Sequence, residues 1–440
     1  MEAMTLVETP PAEAMQPSWN PLARIGFRFC FVYFSLYCLA AQVINSVFPI
    51  PKVDVPDWDT LMPIRSVAFW VGAHVFRLKT PLVYSGSGSG DKQFDWVIVF
   101  CIFVTSLLAT AVWSLLDRKR RDYSLLHKWF WLFLLLCLGS QMFVYGMVKA
   151  IPLQMPYPNL SRLLERFGDF SPMGVLWYSV GASPGYETFA GCAELLGGLL
   201  LIFRRTRTLG LLICLADLTQ VFVLNMTYDV PVKQFSFHLI LIALLLLAPE
   251  RERLINCLVL NRPTEPWTPP ALFAGRRAQR FASGVLAFLW LWMLGNGAYG
   301  VWDSWHQYGP GLAKSPLYGI WDIQDYTQDG KPQPLAVTDK QAWRRFIFDY
   351  PRYAQIECMD DIHGYGVEID QKAASLTLTN PRDRNWQARF AFTRPAADRL
   401  TLDGTVAGKK AQLHLQRVDE KKFLLESRGF NWVQDYPVNR

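Results

Sequence analysis

Residues 139–151 read GSQMFVYGMVKAI, residues 187–207 read ETFAGCAELLGGLLLIFRRTR, and residues 215–250 read LADLTQVFVLNMTYDVPVKQFSFHLILIALLLLAPE. Each fragment belongs to an apolar run close to the roughly 20 residues that a helix needs to cross a hydrocarbon layer. Each also carries Gln, Glu, Asp, Asn, Lys or His, and such side chains are costly in hydrocarbon unless they face the interior of a bundle. The fold that follows for this part is a membrane all-α helical bundle, and its intramembrane polar groups are the candidates for a site.

The rest of the chain fits that reading. Of 440 residues, 51% are hydrophobic and only 18% charged, and the charges are segregated. The net charge of +7 is concentrated in clusters at 118–121, 204–207 and 276–280, which read as positive-inside topology signals. No basic face on a folded domain is evident, so nucleic acid is not an expected partner. None of the 8 cysteines forms a CxxC pair, and most lie within apolar runs as small hydrophobes, which argues against a dithiol redox centre. No His/Cys spacing suits a metal, and no metal site is expected.

In order, residues 1–23 carry no periodicity and read as a disordered N-terminus without a cleavable signal. Residues 24–124 hold two spans, 25–48 and 96–116. Between them, IRSVAFWVGAHVFRLKT (64–80) is too short and too charged at its ends to cross, and is expected to lie on the membrane surface. YSGSGSGDKQFD (84–95) has two open readings: a flexible linker or tight turn, or a loop that caps a ligand through Ser87, Ser89 and Asp91. Residues 125–262 hold four spans, at 127–151, 188–203, 208–226 and 234–248. Within them, 152–185 is a connection with a short helix at NLSRLLERFG and a turn-rich SPMGVLWYSVGASPGYE. A Pro-rich inner linker (263–280) precedes a seventh span at 281–302. Arg24 and Arg28 place the N-terminus inside, and seven crossings then place the C-terminus outside, in the periplasm or extracellular space of a multi-pass inner-membrane protein.

From 317 to 440 the pattern changes to alternation. Eight short runs, from GIWDIQDYT to KKAQLHLQRV, are bounded by Gly, Pro, Asp and Asn, which predicts an antiparallel β-barrel or sandwich. Up-and-down closure would remove its exposed edges.

Helical spacing sorts the polar residues. Gln141, Tyr145 and Lys149 share one face of the third span. Glu187 and Glu194 share another with Ala190, Gly191, Gly197 and Gly198, small residues that let a second helix approach. Asp217 and Gln220 fall at mid-depth, and Asn225, Asp229, Lys233 and His238 gather at the outer end of spans five and six. Two readings stand side by side. These groups form a ligand site in the outer half of the bundle, or they are hydrogen-bonded glue between helices.

The core at 125–262 resembles the DoxX-like membrane proteins. An early span ends in YGMVK, AELLGGLLLIFRRTRTLG follows, and the last span ends in LLLLAPERERL. The resemblance implies a four-helix unit in which Glu194 is a family position, and it links the chain to quinone-linked and thiol-related redox complexes. The C-terminal part is similar to a lipocalin-like barrel in that Gly319-Ile320-Trp321 opens its first strand, which implies that Arg417 covers Trp321. A helical bundle followed by an outer β-domain is also similar in layout to the vitamin K-dependent carboxylases.

The function expected from these features is that of a quinone-associated redox membrane protein. A quinone or similar headgroup would sit in the outer half of the bundle, with His238, Glu194 and Lys149 hydrogen-bonding to it or exchanging protons. No electron carrier is evident, so a redox partner subunit is implied beside the membrane lipid. The alternative is a non-redox protein that binds or transfers a lipid or small molecule in the outer barrel.

Overall fold

The computed structural model describes residues 19–41, 43–50, 53, 61–84, 90–265, 271–333, 342–358, 361–436 and 438. The expected disordered N-terminus up to residue 18, and Ser87 and Ser89 of the Gly-Ser loop, lie outside the described residues.

Helix α1 (Pro21–Ala40) starts where Asn20 accepts a hydrogen bond from the Ala23 N–H and Pro21 occupies the first turn. It is followed by the short α2 (Val43–Val47), so the run expected at 25–48 is broken after Ala40. Helix α3 (Met62–His74) has 13 residues, roughly 20 Å at 1.5 Å per residue, which is too short to cross. Then come α4 (Gln93–Leu116), α5 (Ser124–Ala150), α6 (Leu160–Leu164) and α7 (Pro172–Gly181). Helix α7 corrects the turn-rich reading of 171–187. The Ser171 hydroxyl caps the Gly174 N–H and Pro172 opens the helix, a start signal inside a segment whose glycines suggested turns.

Helices α8 (Pro184–Ile202), α9 (Arg207–Thr227) and α10 (Lys233–Leu247) follow, and α11 (Arg251–Leu258) continues α10 through a 3₁₀ turn. Helix α12 (Arg276–Gln307) is 32 residues long, a turn or more longer at each end than the span expected at 281–302. Among the described residues seven helices are long and apolar enough to cross a membrane: α1, α4, α5, α8, α9, the 233–258 segment and α12.

The chain divides into two compact units, residues 1–147 with 191–299, and residues 148–190 with 300–440. In the first, glycines decide how closely the helices pack. A Cβ at Gly146 of α5 would stand 2.9 Å from the Leu195 backbone nitrogen and 3.1 Å from the Gly191 carbonyl oxygen of α8. Gly198 lies against Phe143, and Gly197 against Cys214 of α9. The small face expected on the fourth span is thus the one that meets its neighbours. The core between the helices is aliphatic and aromatic, with Leu134, Leu135, Leu138, Phe143, Leu211 and Ile242 almost fully buried.

In the second unit, strands β1 (Gly319–Gln328), β2 (Lys331–Pro332), β3 (Arg345–Tyr350), β4 (Tyr353–Glu357), β5 (Ile362–Asp370), β6 (Ser375–Asn380), β7 (Asp383–Ala396), β8 (Arg399–Val406) and β9 (Lys409–Arg417) are all antiparallel. Each pairs with the next, apart from β2, which pairs only with the end of β1. Pairing of β1 with β9, from Trp321↔Arg417 to Gln328↔Ala411, closes an eight-stranded up-and-down barrel. The alternation legible in the sequence is the inward row: Trp321, Phe346, Phe348, Ile356, Leu376, Leu378, Leu402 and Leu413 are buried.

Three details depart from expectation or extend it. The barrel interior is lined by these buried side chains. Trp321 is fully buried and donates from Nε1 to the Leu317 carbonyl, but the guanidinium over its ring, 5.5 Å from the centroid, belongs to Arg394 rather than to Arg417. Arg417 instead lies beside Gly319 and pairs with Glu420.

The segment that joins α5 to α8 packs on the outside of the barrel. Leu160 of α6 is buried with Ile320 and Ile347, and its N–H donates to Asp349 Oδ1 at 3.2 Å. Burial pushes the Asp349 carboxyl above its usual range, against the opposing effect of that N–H. A carboxyl whose pKa is raised by folding favours the fold while protonated, and that contribution is lost as pH rises from the unfolded value through the folded one. Asp349→Asn keeps the acceptor for Leu160. It is therefore expected to raise the thermal midpoint at neutral pH by a few degrees. The gain should shrink as the pH falls toward the ordinary aspartate pKa of about 3.9. A variant less stable than the parent at neutral pH would contradict this.

Candidate functional site

A buried polar cluster of the first unit centres on His238. The α10 backbone carries it one turn past Gln234, whose carbonyl oxygen lies 2.7 Å from Nδ1. A carbonyl can only accept, so Nδ1 holds a proton and, in the neutral ring, Nε2 is the acceptor. Nε2 is 2.8 Å from the Tyr33 hydroxyl of α1. One turn along α1, Tyr37 stacks on the imidazole with ring centroids 3.8 Å apart and planes 7° from parallel. His238 and Tyr37 are buried, and Tyr33 nearly so. Gln234 is buried in the same turn of α10, and its Nε2 has no hydrogen-bond partner among the described residues.

Next to this cluster the N-terminus of α10 is closed by a loop residue. Asp91 accepts from the Lys233 N–H at 2.7 Å with Oδ2 and from the Gln234 N–H at 2.9 Å with Oδ1. The Gly90 N–H donates to the Pro231 carbonyl. Asp91 thus satisfies two of the free N–H groups of a helix start, and its charge suits the positive end of the helix. Lys233 Nζ pairs with Asp229 at 2.8 Å and stands 3.9 Å from Asp91. Asp91→Ala is expected to cost about 1–2 kcal/mol, as loss of a helix cap does. It should lower the thermal midpoint, whereas loss of a bound ligand at unchanged stability would make Asp91 part of the site instead.

The structure separates the other sequence candidates. Asn225 donates to Ser236 Oγ at 3.0 Å, which ties α9 to α10, and Asp229 sits in a left-handed turn with its carboxylate exposed. Tyr145 packs against Phe235 with the rings tilted at 56° and centroids 6.1 Å apart. Gln141 is buried beside Ser140, 3.4 Å from its hydroxyl. Glu194 is buried on α8, one turn from the Gly197–Cys214 contact, and Asp217 is partly buried one turn further along α9. Gln220 departs from expectation: it is exposed. It follows buried Leu218 by two residues, which turns it roughly 200° away from the packed face.

Lys149 and Glu187 belong to the second unit. Glu187 is fully buried, and its Oε1 accepts from the Gln154 and Met155 N–H groups, so it holds the turn after α5. Lys149 is buried and close enough for its charge to act on Glu187.

Two features escaped the sequence reading. Tyr33 and Tyr37, spaced i, i+4 in an apolar run, were a legible signal for one face of α1. Cys38 and Cys137 were not: both are fully buried, on α1 and α5, neighbouring thiols that no local motif announces.

The barrel has an opening of its own. Its mouth holds a cleft of about 1040 Å³ walled by Tyr326, Trp343, Trp386 and Tyr365. Tyr326 and Trp343 are stacked at 6.0 Å, and Trp386 lies 5.0 Å from Tyr365.

No family model matches this chain, and no solved structure matches it significantly. Over 130 residues, 28% of the chain, it is 27% identical to "Uncharacterized protein YwoB" of Bacillus subtilis (strain 168), and the match covers 77% of that protein.

Proposed function

We propose that the chain is a multi-pass membrane protein that binds a quinone-like headgroup beside the His238–Tyr33 pair and works with a redox partner subunit. Support for the membrane comes from α12, which is apolar over a full span yet has only 11% of that window buried by the protein, so lipid is the natural cover. Seven crossings leave the α5–α8 connection and the barrel on one side, in keeping with the packing of Leu160 against Ile320 and Ile347. The basic clusters fall on the other, cytoplasmic side. The DoxX-like character of 125–262 belongs to the same proposal.

The observation that carries the headgroup reading is the double anchoring of His238, with Nδ1 on the Gln234 carbonyl and Nε2 on Tyr33. While the ring is neutral, the Tyr33 hydroxyl donates to Nε2. Once His238 takes up a proton, Nε2–H donates to the Tyr33 oxygen and the hydroxyl proton is released to a new acceptor. The pair therefore offers a hydrogen bond to a ligand carbonyl only when it holds an added proton. Gln234 Nε2 is a further donor in the same turn. This donor set fits a group with carbonyl oxygens, and a bound quinone would supply electron transfer coupled to proton uptake.

Organic extraction of the purified protein tests the reading. Wild type should release quinone near one equivalent, and His238→Phe and Tyr33→Phe should release little at similar thermal stability. Quinone retained in both variants would overturn it. The aromatic mouth of the barrel favours a second reading, a small-molecule binding module, and a co-purified small molecule lost from Trp343→Ala but retained by His238→Phe would favour that one.

A further inference from the structure

A cavity of about 720 Å³ opens in the first unit near the basic loops. Its volume falls within the range of small-molecule sites, roughly 300–1,000 Å³. Trp131, Leu132, Ile202, Phe203, Leu286 and Trp290 give it apolar walls. At the basic end it is lined by Lys128, Arg204, Arg205 and Arg207, and among the described residues no carboxylate lines it. Glu250, in the turn after α10, is already engaged by Thr208 and Arg253.

Helix α12 explains why the space exists. Trp290 is buried with its ring against Gly139 of α5, which holds the two helices together at that level. Toward its basic end, α12 presents Gln279, Ser283, Leu286, Ala287 and Trp290 to the cavity, a single helical face. At 1.5 Å per residue this face is roughly 16 Å long, about half of a hydrocarbon layer of roughly 30 Å. The cavity thus combines an apolar slot one leaflet deep with a cationic mouth. Arg207 is partly spoken for: its Nε donates to the Leu201 carbonyl and its guanidinium lies 5.3 Å from the Trp131 ring centroid. Arg204 is close enough to repel it, so cations are crowded there without a lining acid among the described residues.

We propose that this cavity is a binding site for a lipid with a net anionic phosphate headgroup, its phosphate held at Arg204, Arg205, Arg207 and Lys128 and an acyl chain lying along α12 as far as Trp290. The inference rests on the membrane placement proposed above but not on the quinone. Planar guanidinia pair with phosphate oxygens in bidentate geometry, and a headgroup that carries its own cation as well would bring that cation into the basic cluster. Basic pockets between helices on the cytoplasmic side are where anionic lipids bind.

The test uses the full chain purified in a neutral detergent and read by native mass spectrometry. Phosphatidylglycerol, phosphatidylcholine and inorganic phosphate are titrated separately. Phosphatidylglycerol should bind one to one, phosphatidylcholine much more weakly, and inorganic phosphate alone should not hold, since it lacks the chain. Arg204→Gln combined with Arg205→Gln should weaken phosphatidylglycerol roughly 30-fold, at about 5-fold per charge. Ala287→Trp fills the slot without touching a charge and should also weaken it, so the proposal stays open to refutation if the double variant does not fold. Equal binding of the two phospholipids, or undiminished phosphatidylglycerol binding in Ala287→Trp, would overturn it. Release of the protein from membranes by alkaline carbonate would defeat both this site and the membrane placement. Phosphatidylglycerol binding with no quinone in the extract would defeat the headgroup reading alone.

Discussion

Gly404→Ala is expected to prevent the barrel from closing. Gly404 sits in β8 opposite Phe390 of β7, and a Cβ built on it would overlap the Arg389 carbonyl oxygen and the Phe390 Cα. These are backbone atoms and cannot rotate away as a side chain would. The ladder must open between β7 and β8, a pair on which closure of the ring depends. Relief by local shifts would displace Phe390 and Leu402 from the packed interior. The cost should exceed about 4 kcal/mol, in the range reserved for substitutions that break a defined structural feature. Limited proteolysis of the full chain reads it directly. The wild-type segment from 317 onward should resist digestion and the variant should not. An equally resistant variant would mean that β7 and β8 lie further apart than described.

Gly146→Leu should also be severe, for the helical part. At Gly146 the α5 and α8 backbones come close enough that a Cβ meets the Leu195 nitrogen at 2.9 Å and the Gly191 carbonyl at 3.1 Å. Accommodation would require the two helices to separate, which would uncover Phe143 and Met142 from Gly198 as well. Overpacking of a tight core costs about 1–3 kcal/mol per site, and a contact with backbone lies at or above the upper end. The expected result is loss of the monodisperse peak in size-exclusion chromatography and a fall in thermal midpoint. Gly26→Leu serves as the control, because nothing lies within 4 Å of a Cβ there. An unchanged Gly146→Leu protein would contradict the α5–α8 packing.

Much of this architecture was legible because it rests on local periodicity. The eight alternating runs after residue 317 correspond one by one to the eight strands of the barrel, since each alternates inward apolar residues and is bounded by turn formers. The apolar runs likewise became the seven long helices. What escaped depended on tertiary neighbours. Nothing near Trp321 in sequence says that Arg394, from β7, will cover it in place of Arg417. Gln220 is polar and mid-helix, but only the buried stripe of Leu211, Cys214, Leu218 and Asn225 shows that it points elsewhere. His238 was visible as an intramembrane titratable group, yet its partners Tyr33 and Tyr37 come from α1, far away in the chain. The Asp91 carboxylate was noted for its loop, and its cap on α10 becomes visible only once the loop is folded against that helix.

Proton uptake on ligand binding follows from the His238–Tyr33 geometry. A short-tailed benzoquinone is titrated into the purified protein in weakly buffered detergent solution at about pH 8, where a histidine of ordinary pKa is neutral. Because the Tyr33 hydroxyl is released to a ligand when His238 gains a proton, wild type should take up protons on quinone binding. His238→Phe should take up none. Quinone binding to wild type without proton uptake, or the same uptake in His238→Phe, would contradict the account.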